Sequence, residues 1–388
     1  MKILVYEWTL EKSFWCKYDV RDTLHKLNVN VVPFHFDFDA QGQEELETLF
    51  ERMEAKNCDA CFSVNYFPKL SDVCQKTGIK YIAWGYDCPF NVCNIEDTLG
   101  NACNYVFCFD RNQALQYRQM GFDTVYHLPL GVNVDRYREL QIPKGQKSNY
   151  VSDISFVGNM YKGEYSGLTE ICDERTQGYL EGVIESQLLL YGAYILNDVI
   201  HDNLIDQMNN YFQILQPGTK FRIDKSGLVH MLDQETSRRE RLLLRGLLGK
   251  RFDVHVYTYK QDEMLKNVIC HGGVDYLKEM PRIFAKSKIN LNITVKGIQS
   301  GIPLRALDVM ASGGFLLSNY QAELVEYFSY GQDMVVYESI ADAYEKCKYF
   351  LQHDEEREKI AENGRRKVFE EHNMTDKFIQ MLTVAKIQ

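Results

Sequence analysis

Short apolar runs alternate with amphipathic stretches through roughly the first 150 residues. The runs at 3–6, 29–33, 60–64, 81–84, 105–108 and 125–128 predict strands, and apolar spacings of three and four over 18–27, 46–55, 70–77 and 112–120 predict helices between them. Strand–helix–strand in this rhythm implies parallel strands joined by right-handed crossovers, hence a doubly wound sheet. The polar, turn-rich segment 143–149 reads as a linker. A second α/β series follows, with strands expected at 154–158, 254–257, 268–270, 289–293, 315–317 and 334–337. Its first crossover is long: residues 168–213 are helix-like, with Leu180, Ile184, Leu188 and Tyr191 at helical spacing. Charged helices over 355–371 and 375–385 end the chain.

The expected architecture is therefore α/β, with two Rossmann-like doubly wound parallel-sheet domains. The first covers 1–148 and the second 149–372, with a helical insertion at about 168–235. The last stretch, 373–388, is expected to pack back on the first domain. Domains of this kind present their ligand loops at the strand carboxyl ends, which predicts two sheets facing a cleft for a small molecule.

Composition narrows the partners rather than the fold. The chain has 388 residues, 44 Lys+Arg against 54 Asp+Glu, and a formal net charge of −10. With 45% hydrophobic residues and 8 Pro it is neither disordered nor collagen-like. The acidity argues against duplex nucleic acid as the main partner. Eleven cysteines, an odd number, sit mostly in apolar runs and read as reduced core thiols; Cys58 and Cys61 form a C-x-x-C with no second pair at zinc spacing. No apolar run approaches the ~18 residues of a membrane span, and the N-terminus reads as a first strand without a signal-peptide core. A cytoplasmic location is expected, with at most peripheral membrane contact.

The most informative chemistry follows the strand at 289–293. A small polar loop, Thr294-Val295-Lys296-Gly297-Ile298-Gln299-Ser300-Gly301-Ile302, leads into a helix opened by Pro303. Ser300 or Gly301 can cap this helix, and the free amides of its start, with Arg305 nearby, suit a diphosphate. Asp308, one turn beyond Arg305, can accept hydrogen bonds from the two hydroxyls of a ribose; a solvated Arg305–Asp308 ion pair is the plainer alternative. Lower in rank stand the turn Gly158-Asn159, the strand-end Gly272-Gly273, and Arg238 in Glu235–Arg241, expected to open a helix. Asp87, in Trp84-Gly85-Tyr86-Asp87, is the candidate acceptor-side carboxylate and general base, against a structural turn aspartate.

Cys270-His271-Gly272-Gly273-Val274, the strand 289–293 and the segment Pro303–Gly314 together resemble the donor half of GT-B glycosyltransferases, and among them the CgeB-like (spore maturation) group. Asn319-Tyr320-Gln321-Ala322-Glu323-Leu324, His127-Leu128-Pro129-Leu130-Gly131-Val132-Asn133 and the tail from Gly331 to His372 extend the resemblance over about the whole chain. It implies a GT-B fold and transfer of a sugar from a nucleotide diphosphate sugar, a UDP-sugar, to an acceptor hydroxyl of a glycan or glycoprotein. Metal-independent chemistry with no cofactor, and bacterial relatives, are also implied. In the family's Glu-x7-Glu motif the second acid, which holds the ribose, falls at Asp308; the first, which meets the sugar, falls at Ser300, a departure from the pattern. Lys296 and Arg305 are implied to neutralise the diphosphate leaving group, and Glu323 joins the implied substrate-binding set. Two alternatives stay open: a nucleotide-sugar epimerase or hydrolase, and a non-catalytic nucleotide-sugar-binding module.

Overall fold

The computed structural model describes residues 1–7, 14–38, 40–90, 92, 94–140, 150–161, 163, 165–259 and 267–387. The expected linker at 143–149, Cys93 and the side chain of Cys16 lie outside the described residues. Contacts group the chain into two units: Met1–Gln141 with Ser300–Ala311 and Arg365–Gln388, and Ile142–Gln299 with Ser312–Gly364.

The chain begins β1 (Lys2–Tyr6), α1 (Phe14–Lys26), β2 (Asn30–Phe34), α2 (Gln43–Arg52), β3 (Ala60–Val64), α3 (Pro68–Thr77), β4 (Lys80–Trp84), α4 (Glu96–Leu99), β5 (Asn104–Cys108), α5 (Arg111–Gln119), β6 (Val125–His127) and α6 (Val134–Glu139). The six strands form one sheet in the order β2-β1-β3-β4-β5-β6, every pair parallel. A parallel sheet is covered on both faces, so its strands are continuous apolar runs instead of alternating ones. Leu4, Cys61, Tyr81 and Val106 from the strands and Leu46, Phe50, Leu70 and Val73 from the helices build its core. All nine described cysteines are free thiols, and Cys58, Cys61, Cys74 and Cys108 belong to this core.

The second series is β7 (Ser152–Val157), α7 (Tyr165–Glu170), α8 (Glu174–Leu189), α9 (Leu196–Val199), α10 (Asp202–Leu215), α11 (Lys225–Leu248), β8 (Val254–Tyr257), β9 (Ile269–His271), α12 (Met280–Lys286) and β10 (Ser287–Asn292). Then come α13 (Leu304–Ala311), β11 (Leu316–Asn319), α14 (Ala322–Tyr327), β12 (Val335–Tyr337), α15 (Ile340–Phe350), α16 (Asp354–Glu371) and α17 (Met374–Val384). The second sheet runs β12-β11-β10-β7-β8-β9, again all parallel. Numbered from its own first strand, that is the order 3-2-1-4-5-6 of dinucleotide-binding sheets. Polar side chains tie its centre: Ser155 donates to Asn290 at 2.7 Å, and Asn292 donates to Ser318 at 2.8 Å. Helix α13 and the end of the chain group with the first unit, where Phe378 of α17 packs against Phe62 and Trp84.

Helices α7–α11 carry an apolar cluster of their own, including Leu180, Ile184, Leu196, Phe212, Leu228 and Leu232. Two local expectations change here. The helix-like stretch 168–213 is broken: α8 stops at Leu189, and Gly192 at φ 78° sits in the left-handed region, which a helix cannot pass through. Glu235–Arg241 does not open a helix. It lies in the middle of α11, whose start is set by Asp224 accepting from the Gly227 amide at 2.7 Å.

Candidate active site

In the second sheet, strand order reverses between β7 and β10, and ligands of open α/β sheets gather at the strand carboxyl ends around such a point. Arg241, on α11, binds both strand ends there. Its guanidinium donates to the carbonyl of Asn159, just past β7, and to that of Ile293, just past β10, at 2.6 Å. It also lies over the Tyr161 ring, 4.4 Å from the centroid. The Gly158–Asn159 turn is thus held by its backbone, and a side chain on Gly158 would come within 2.9 Å of the Phe156 ring.

Beside this point, a small open recess is bounded by Tyr191, Tyr194, Lys296, Asn319, Tyr320 and Gln321. Its floor is a buried charge pair. Lys296 is 7% exposed, its Nζ 3.1 Å from Oε2 of Glu240, 3.3 Å from the Leu190 carbonyl and 4.3 Å from the centre of the Tyr191 ring. Glu240 is fully buried and accepts from the hydroxyls of Tyr191 at 3.0 Å and Tyr337 at 3.3 Å. Burial, then the Glu240 charge, pushes both phenols upward, so they stay protonated donors. The recess is therefore lined by one cation, three side-chain amides (Gln299, Asn319 and Gln321) and aromatic faces beside the carboxyl ends of β10 and β11.

Within the first unit, the residues 300–308 are tied down differently from the free loop expected. Asp110, at the start of α5, accepts from the amides of Ser300 at 2.7 Å and Gly301 at 2.9 Å and from the Ser300 hydroxyl at 3.2 Å. Asp308 is 1% exposed, and its Oδ1 accepts the Tyr137 hydroxyl at 2.7 Å. The i, i+3 pair with Arg305 exists at 3.7 Å, but its acid is buried, not solvated. Arg136 continues the network, bidentate to buried Asp19 at 2.9 Å and stacked 4.4 Å from the Tyr137 ring. Asp87, after β4, is solvent-accessible and accepts from the Asn65 side chain at 2.6 Å. Protein crowded around its carboxyl pushes it above the usual range, and the Asn65 hydrogen bond opposes that.

The remaining expected residues scatter. Arg238 is bidentate to Glu235 at 2.7 and 2.9 Å. Gly273 backs onto the Tyr259 ring, which a Cβ would strike at 2.1 Å. Glu323 is buried in the first turn of α14. Among the described residues no three His, Cys, Asp or Glu side chains gather as a metal site. Sequence reading passed over Glu240, Arg241, Tyr191 and Tyr137. The available signal was charge on the buried stripe of α11, where Glu240, Arg241 and Arg245 interleave with Leu244 and Leu248.

Residues 238–383 match the model of the Glyco_trans_1_2 family, described as glycosyl transferase-like. The chain has the GT-B fold, and its residues 238–383 are glycosyl transferase-like. The fold is that of solved structures similar over essentially whole chains. Anabaena HepE in complex with UDP and glucose has a TM-score of 0.57 at 10% identity, covering 100% of this chain and 99% of its own. Sucrose-phosphate synthase from Thermosynechococcus elongatus has 0.56 at 10%, with 100% and 98% covered. The lipopolysaccharide outer core galactosyltransferase WaaB has 0.52 at 10%, with 99% of each chain covered. No curated protein matches the chain by sequence. The family match begins within α11, so it takes in Glu240, Arg241, Lys296 and Asp308. Among the described residues no helix is long and apolar enough to cross a membrane.

Proposed function

We propose that this protein is a glycosyltransferase of the CgeB-like group that moves a sugar from a UDP-sugar to an acceptor hydroxyl on a glycan or glycoprotein, without a metal ion, in the cytoplasm. The observation that carries the reading is the Lys296 recess, a buried cation beside the switch point of a 3-2-1-4-5-6 sheet. The similar fold of HepE, a structure in complex with UDP and glucose, supports uridine as the nucleoside of the donor.

The acceptor oxygen attacks the anomeric carbon, the bond from that carbon to the β-phosphate oxygen breaks, and UDP leaves with the electron pair. Lys296, held over the face of the Tyr191 ring, is assigned to the leaving diphosphate, where a cation in a dry setting stabilises developing charge. Arg305 is a second cation for the same task. Asp308 is assigned to the ribose; binding there exchanges the Tyr137 hydroxyl for ribose hydroxyls. Asp87 takes the acceptor proton, and its raised pKa brings it closer to the value a base needs near neutral pH. Ser300, Gly301, Gly158, Asn159, Gly273, Arg238 and Glu323 complete the proposed substrate-binding set.

The test is UDP release from a panel of UDP-, GDP- and dTDP-sugars with sugar acceptors, before and after treatment with EDTA. UDP-sugar turnover that survives EDTA is expected, with Asp87→Asn lowering kcat at least a hundredfold while the donor KM holds. Turnover restricted to another nucleotide, or abolished by EDTA and restored by a divalent ion, would overturn the donor or the metal assignment respectively.

A further inference from the structure

The helical insertion holds three large apolar side chains in water at one tip. Ile214 is 74% exposed, Leu215 53% and Phe221 48%, on the last turn of α10 and the segment that follows it. Single exposed apolar residues are ordinary, but three within eight positions form a patch. The tip is built rather than loose. Gln213 donates to the Thr219 carbonyl at 2.7 Å, and the Asn209 side chain pairs with the backbone of Ile223 through two hydrogen bonds of 2.9 Å. The Phe221 ring rests on buried Phe212, centroids 5.4 Å apart, so its outer face stays in water.

Charge singles out the occupant. In a chain of net charge −10, no acidic residue occurs between Asp206 and Asp224, while Lys220 and Arg222 are both exposed beside Phe221. Asp224, the nearest acid, has its carboxylate engaged by Ser226 and the Gly227 amide. Apolar side chains at a turn flanked by basic ones, with acids absent, match a bilayer interface: the apolar groups enter the acyl boundary and the cations meet anionic headgroups. We propose that the 214–222 tip docks this protein on an anionic membrane surface.

The experiment is co-sedimentation of the full chain with vesicles of phosphatidylcholine alone and of phosphatidylcholine mixed with phosphatidylglycerol. Binding is expected on the mixed vesicles, weakening as salt is raised. At about 1 kcal/mol per basic residue near the surface, Lys220→Glu/Arg222→Glu should weaken it at least thirtyfold. Ile214→Ser/Phe221→Ser should abolish it, with an unchanged circular dichroism spectrum showing that the fold is kept. Absence of wild-type binding, equal binding to both vesicles, or binding that survives both double variants would overturn the proposal. So would concentration-dependent self-association removed by Ile214→Ser/Phe221→Ser, which would make a second copy the occupant.

Discussion

Asp233, on the buried face of α11, carries a pH dependence that can be worked out from its surroundings. It is almost fully buried, and its Oδ2 accepts the hydroxyl of Tyr194, a residue that bounds the recess, at 3.0 Å. Burial pushes the carboxyl from 3.8 up to about 7, with the Tyr194 hydrogen bond opposing. A carboxyl raised on folding favours the native state most when protonated in both states. Its contribution is whole below about pH 4 and is lost as pH rises toward 7, on the order of 4 kcal/mol at most. Asp233→Asn should therefore leave Tm little changed near pH 4 and raise it relative to wild type at pH 8. Parallel melting curves for the two proteins across that range would show that Asp233 does not titrate as stated.

At the scale of elements, the segment between α8 and α9 decides the shape of the recess. Gly192 adopts φ 78°, and a Cβ there would lie 2.8 Å from the Tyr320 ring. Alanine faces both the left-handed penalty of about 1–2 kcal/mol and a displaced aromatic wall. Gly192→Ala should lower Tm by several degrees and weaken UDP binding at least threefold. An unchanged Tm with unchanged UDP affinity would mean that neither the turn nor Tyr320 matters to the site. Helix α11 makes the same point in the opposite sense. Its charged residues look like a solvated start when read along the chain, yet Glu235, Glu240 and Arg241 are buried, because the helix begins ten residues earlier at the Asp224 cap. A local charge run is legible; which face of a long helix the tertiary fold covers is not.

For the whole molecule, both sheets were readable, since the central strands, buried on both faces, leave apolar runs that need no knowledge of partners. Lys296 was singled out through the family resemblance, as a cation in the short loop directly after such a run. Its counter-ion was not, because Glu240 lies 56 positions away and meets it only through the packing of α11. Likewise the Tyr137–Asp308 bond joins residues 171 positions apart, and Asp110 gathers the amides of Ser300 and Gly301 from 190 and 191 positions away. Periodicity and motif spacing report neighbours along the chain and are blind to such pairs.

The donor assignment rests on the Lys296–Glu240 pair, and calorimetric titration with UDP tests it most directly. Lys296→Met alone leaves a buried carboxylate without its cation and should cost about 3–5 kcal/mol of stability. Lys296→Met/Glu240→Gln removes both charges, so most of that stability should return. The account predicts that the double variant melts close to wild type and binds UDP at least tenfold more weakly. A stable double variant that binds UDP as wild type does would contradict it.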